Sequence, residues 1–176
     1  MKIVGAYHAG MDNEIIDELI QDWHRERPEL DALPMAVVGR VLRLATRLEK
    51  RVNEALKPFD LALWGFDVLA TLRRRGKPYA MTPTELMRSV MLTSGAMTNR
   101  VDRLEKLGLV ERCPAPTDRR SLQVKLTRKG LLVANRAVEA RFEEAEDALS
   151  VLGKRDREIL AGLLRRVLLG LEDEES

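Results

Sequence analysis

The chain has 176 residues, 45% apolar and 33% charged, with aromatics at only 4%, enough to bury one core, too little for two full domains, and typical of a mostly helical, charge-laced protein. One cysteine, Cys113, excludes an internal disulfide framework and fits a reducing compartment; no apolar run approaches the ~18 residues of a membrane span or the core of a signal peptide, so a soluble, cytoplasmic protein is expected. Net charge is only +2, yet residues 71–130 hold 14 Lys or Arg against five acids, a local charge of +9 that leaves −7 elsewhere and offers one face to a polyanion.

In chain order, Asp12 can cap a first helix running to about Arg27, after which Pro28 and Pro34 bracket a turn. From Pro34 to Leu56 the apolar positions Val37, Val41, Leu44, Leu48, Val52 and Ala55 step by four and three, which predicts a long amphipathic helix stopped by Pro58. A third helix spans Trp64 to Arg75 and closes at Gly76. Thr82-Pro83-Thr84-Glu85 combines a capping box with proline at the first helical position, so a short helix runs to about Met91. Thr93 or Ser94 then caps a fifth helix that ends at Gly108. Two short helices joined this tightly predict a helix-turn-helix.

Beyond it, Leu109 to Cys113 and Ser121 to Leu126 read as two strands joined by a loop holding Pro114, Pro116, Thr117 and Asp118, a hairpin of the kind called a wing. Thr127 caps a long helix with Leu131, Val138, Phe142, Ala145, Leu149 and Leu152 along one stripe. A final helix carries Ile159, Leu160, Leu163, Leu164, Val167, Leu168 and Leu171 over more than one face, which a second copy of the chain would keep dry. The expected fold is mainly α with a small β-hairpin: N-terminal helices over 1–60, a winged helix-turn-helix over 61–130 and C-terminal dimerisation helices over 131–176, in one compact chain.

On the fifth helix Met97, Val101 and Leu104 face the core, while Asn99, Arg103 and Lys106 face out and Gly95 and Ala96 keep its start slender. Such an end fits a major groove roughly 12 Å wide, so Ser94, Thr98, Asn99 and Arg103 are the candidate contacts to base edges or phosphates. Arg119 and Arg120, near the hairpin tip, are placed to enter a minor groove. Double-stranded DNA is thus the expected partner.

Segments 92–100 (LTSGAMTNR), 103–110 (RLEKLGLV) and 118–120 (DRR) resemble the MarR family of bacterial regulators. That resemblance implies homodimers built from the terminal helices that bind palindromic operators, most often as repressors. Segments 22–31 (DWHRERPELD), 66–72 (FDVLATL) and 94–100 (SGAMTNR) are similar to its urate-responsive branch. The resemblance places the ligand site of that branch on Trp23, Asp67, Arg100 and Arg112, and implies a planar anionic effector, urate or a xanthine-like purine. The residue types agree: Trp23 offers a flat face, Arg112 a fork for an anionic oxygen, and Asp67, lying in an apolar helix, needs a cation such as Arg100. A ligand wedged between Trp23 and Arg112 would disturb the Asp67 and Arg100 pair and tilt the recognition helix.

The only histidines, His8 and His24, sit in no cluster at metal or triad spacing, so neither an enzyme nor a metal site is expected, and no cofactor beyond the effector. A phenolic or other aromatic ligand, or oxidation at Cys113, is the alternative effector. The alternative class is a helical adaptor that turns the basic face to an acidic protein.

Overall fold

In a computed structural model, the backbone is described for residues 14–90, 94–115 and 121–174, and the side chains for the same residues except 94, 95, 173 and 174. Asp12, Thr93, Asp118, Arg119 and Arg120 lie outside the described residues, as does the side chain of Ser94. Contacts divide the chain into two units, 1–49 and 50–176.

The N-terminal unit contains α1 (Ile15–Glu26) and most of α2 (Leu33–Leu56). Glu14 occupies the cap position of α1 in an extended conformation without a side-chain cap bond, and Asp17 and Glu18 place carboxylates in the positive first turn. Gly39 lets the two helices meet closely: a Cβ there would stand 3.2 Å from Ile16 Cδ1. Arg40 ties them again, 3.1 Å from Glu14 and 2.5 Å from Asp17. The apolar stripe expected on α2 forms, but its first half is left uncovered, with Val37, Val41 and Leu44 exposed, while Val52 at its far end is buried in the core of the C-terminal unit.

In the C-terminal unit, α3 (Leu63–Arg74) starts where its Leu63 amide donates to Asn53 Oδ1 at 2.9 Å. Then come β1 (Ala80–Met81), α4 (Pro83–Val90), α5 (Ser94–Lys106), β2 (Val110–Pro114), β3 (Leu122–Leu126), α6 (Arg128–Ala148) and α7 (Lys154–Glu174). The capping box on α4 is formed in both directions: the Thr82 amide donates to Glu85 Oε2 at 2.8 Å and the Glu85 amide to Thr82 Oγ1 at 3.3 Å. Thr127 Oγ1 accepts from the Gly130 amide at 2.9 Å, capping α6. Gly108, at φ +69°, turns the chain from α5 into the wing in a conformation that favours glycine.

The wing pairs β2 and β3 antiparallel, Val110 opposite Leu126 and Arg112 opposite Val124. One strand was not expected: β1 pairs with the other edge of β3, Met81 opposite Val124, giving a sheet of order β1-β3-β2. Two residues carry no period to read, so nothing in the sequence marks them.

The core gathers Leu56, Leu69, Leu72, Leu86, Met97, Leu104, Val110 and Val124, all nearly closed to solvent. α6 keeps Leu131 of the stripe assigned to it against the core but departs from that stripe further along. It buries its small face, Gly130, Ala134 and Ala137, in a core cluster shared with α3, while Phe142 remains 75% exposed. Small side chains allow helix axes to approach closely, so they take the packed side although the larger residues carry the stronger apolar signal. α7 leaves Ile159, Leu163, Val167, Leu168 and Leu171 more than half exposed.

Candidate DNA-binding and effector site

The recognition helix is α5. Its inward face is Met97, Val101 and Leu104, each at 2% exposure or less, as the helical spacing required. That anchoring turns Thr98, Asn99, Arg103 and Lys106 outward, all exposed. Arg103 does not extend freely: its guanidinium carbon lies 5.8 Å from the centroid of the Trp64 ring on α3. Arg100, one turn earlier, reaches the same ring at 5.9 Å. Arg119 and Arg120 fall outside the described residues.

Of the four residues that the resemblance assigned to an effector, Asp67, Arg100 and Arg112 lie in the C-terminal unit and Trp23 in the N-terminal one. Trp23, on α1, is half exposed, as is Leu19 one turn before it. Asp67 is partly buried, and that burial pushes its carboxyl above the ordinary aspartate value; Arg100, then Arg141 and Arg74, pull it back. Asp67 and Arg100 therefore feel each other through space, and no direct salt bridge joins Asp67 to a cation among the described residues.

Because the carboxyl is raised, the folded chain holds this proton to a higher pH than the unfolded chain does. Below the ordinary aspartate value the group costs the fold nothing; as pH rises through the interval up to the raised value, stability is lost and stays lost. Asp67→Asn is accordingly expected to gain on the wild type in thermal unfolding as pH is raised from acid to neutral. A stability difference that is flat with pH would contradict the shift.

Arg112, on β2, is fully engaged. Its Nη2 lies 2.5 Å from Asp102 Oδ1, its Nη1 bonds Glu105, and its amide donates to Glu105 Oε1 at 3.1 Å. The bond to Asp102 is the main reason its guanidinium holds its proton more tightly than usual, with burial opposing. The fork expected to meet an anionic ligand thus grips two carboxylates of the recognition helix and fastens the wing to it. Asp102 and Glu105 were not singled out from the sequence, although two acids three apart beside an arginine-bearing strand were a readable signal.

Two cavities lie in the C-terminal unit, and of the four assigned residues Arg112 alone lines one of them. One of about 220 Å³ lies under the start of α5, lined by Met87, Met97, Thr98, Val101 and Arg112. A larger cleft of about 930 Å³ runs between α3 and α6, lined by Phe66, Arg73, Arg74, Asn135, Arg141 and Phe142 among others. None of Trp23, Asp67 or Arg100 lines either one. Among the described residues, no cluster of three or more His, Cys, Asp or Glu could hold a metal ion and no helix is long and apolar enough to cross a membrane.

Residues 59–121, from the end of α2 to the wing, match the family model described as MarR family. The chain is 38% identical over 152 residues to the HTH-type transcriptional regulator PecS of Dickeya dadantii, covering 86% of this chain and 92% of that protein. It is 36% identical over 97 residues to the multiple antibiotic resistance protein MarR of Escherichia coli, covering 54% of this chain and 65% of that one. Among solved structures it resembles a cysteine-to-serine mutant of Escherichia coli MarR complexed with operator DNA, at 28% identity and TM-score 0.67 over 83% of this chain and 97% of that one. A MarR family transcriptional regulator from Streptomyces coelicolor in complex with DNA aligns at 26% identity and TM-score 0.72, over 81% and 93%. With its helix-turn-helix, its wing and these relatives, the chain belongs to the MarR family and is a DNA-binding transcriptional regulator, not an enzyme.

Proposed function

We propose that the protein is a cytoplasmic repressor that binds a palindromic operator as a homodimer and is released by a planar anionic effector, urate or a related purine. The observation that carries the DNA contact is the outward row Thr98, Asn99 and Arg103 on a helix whose other face is closed in the core. Asn99 can address adenine and Arg103 guanine, with Ser94, Arg119 and Arg120 adding contacts to phosphates and the minor groove. Two-fold pairing follows from the uncovered apolar faces of α7 and of α2, and a two-fold dimer reads a palindrome.

Release follows from the grip on Arg112. An anion that takes this guanidinium must displace Asp102 or Glu105, which then sit unneutralised on the helix that approaches phosphate. The wing also loses its tie to that helix. An anion that recruits Arg100 removes the first cation that steadies Asp67, with the same sense. Urate supplies the required charge on a flat ring, and the resemblance of Trp23, Asp67, Arg100 and Arg112 to the urate-responsive branch supports this class. To move a dimer from mostly bound to mostly free, the effector must prefer the released form by on the order of 5 kcal/mol, a demand that two sites per dimer share.

The test is a titration of the operator complex with urate, xanthine and hypoxanthine, repeated with Trp23→Ala and Asp67→Asn. Release by a purine, blunted in both variants, is the expected result; no release by any of the three overturns the effector reading and leaves DNA binding intact. The DNA reading has its own check. With six or more phosphate contacts, affinity should fall about a thousandfold between roughly 50 and 200 mM salt. Equal affinity for palindromic and scrambled duplex would refute an operator.

A further inference from the structure

The Trp64 ring sits on α3 next to the place where that helix packs on α5. At the next residue, Gly65, an added Cβ would stand 3.6 Å from Leu104 Cδ2, so α3 packs here against the Leu104 side chain of α5. The indole is thereby carried to the surface of the recognition helix, where it meets Arg100 at 5.9 Å and Arg103 at 5.8 Å. Tryptophan is the aromatic ring that attracts a guanidinium best, and it is partly buried, so its own position is fixed by the core. Arg103, by contrast, is exposed on a long flexible stem.

We propose that Trp64 is a positioning residue for DNA recognition: its ring holds the Arg103 guanidinium in the orientation that meets DNA and, through Arg100, links that orientation to the Asp67 side of α3. A guanidinium held before binding loses less freedom on binding, so the ring raises affinity without touching DNA. The two cations that share the ring repel one another. A phosphate or guanine oxygen at Arg103 relieves that repulsion, as does Asp67 near Arg100, so a change at Asp67 or Arg100 is felt at Arg103 through a single side chain. The inference rests on the reading of Arg103 as a DNA contact.

The experiment is a double-substitution cycle on operator affinity with Trp64→Leu, Trp64→Phe and Arg103→Ala, each checked for folding by thermal unfolding. Arg103→Ala should weaken binding roughly ten- to a hundredfold. Trp64→Leu should cost about fivefold when Arg103 is present and less than about twofold when it is absent, and Trp64→Phe, which keeps an aromatic face, should recover most of the loss. Duplex addition should also shift the tryptophan emission of the wild type in a component that Trp64→Phe lacks and Arg103→Ala abolishes. Normal affinity in Arg103→Ala removes the reading of Arg103 and this inference together. A normal effect of Arg103→Ala with an equal Trp64→Leu penalty in both backgrounds leaves Arg103 in place and overturns the role of Trp64. Should Trp64→Leu fail to fold, the emission decides: a duplex-induced shift as large in Trp64→Phe or Arg103→Ala as in the wild type overturns the proposal.

Discussion

Gly130→Ala is expected to destabilise the protein by about 3 kcal/mol or more, lowering its melting temperature by roughly 6–12 °C for a chain of this size. Gly130 lies in the first turn of α6 and is buried. A Cβ built on it would fall 1.8 Å from the carbonyl oxygen of Leu109 and 2.7 Å from its carbonyl carbon, distances at which backbone must move. Neither side is free to yield. The Leu109 carbonyl accepts from the Thr127 amide at 3.1 Å and from Thr127 Oγ1 at 3.3 Å, and that same hydroxyl caps α6 and reaches the Gly108 carbonyl at 2.7 Å. Retreat of Leu109 breaks these bonds and disturbs the turn at Gly108 that joins recognition helix to wing; retreat of α6 opens the core at Ala134 and Ala137. Operator affinity should therefore fall with stability. A variant that melts within about 2 °C of the wild type would contradict the close approach.

That junction also shows what a sequence can and cannot disclose. Thr127 as a cap, Gly108 as a left-handed stop and the Thr82 and Glu85 box are local devices, each complete within four residues, and the structure contains all of them. The recognition helix was legible for the same reason: Met97, Val101 and Leu104 repeat at helical spacing and are the buried face. What periodicity cannot give is the partner. It ranked Phe142 with the core of α6, whereas contact with α3 goes to Ala134 and Ala137, because closeness of axes favours small residues. It paired Asp67 with Arg100 but could not foresee that Arg112 would be taken by Asp102 and Glu105, or that Trp64 would stand beside two arginines, since those meetings depend on how α3, α5 and β2 cross.

Replacing Leu163 and Val167 together by aspartate should convert the protein to a monomer and weaken operator binding by about a hundredfold or more. Both residues lie on α7, one turn apart, and are 51% and 58% exposed in the single chain, in line with Ile159 and beside Leu164, Leu168 and Leu171. A helix with this much apolar surface in water has no reason within its own chain to be so built, and about 25 cal/mol is gained for each Å² of it that a second copy covers. Two carboxylates placed in that seam would be buried without partners, a cost that no rearrangement of leucines offsets. Since neither residue belongs to the core of the C-terminal unit, which is built on Leu69, Leu86 and Leu104, the winged helix-turn-helix should keep its fold. The loss of affinity would then come from geometry alone: each monomer still offers one α5, but the second half-site is no longer met at the high local concentration that a joined pair supplies. Light scattering on the eluted protein reads the assembly and titration of a labelled duplex reads the affinity. A double-aspartate protein that stays dimeric and binds as before would place the dimer seam elsewhere, whereas a monomer that still prefers the full palindrome to a half-site would break the link between α7 and operator reading.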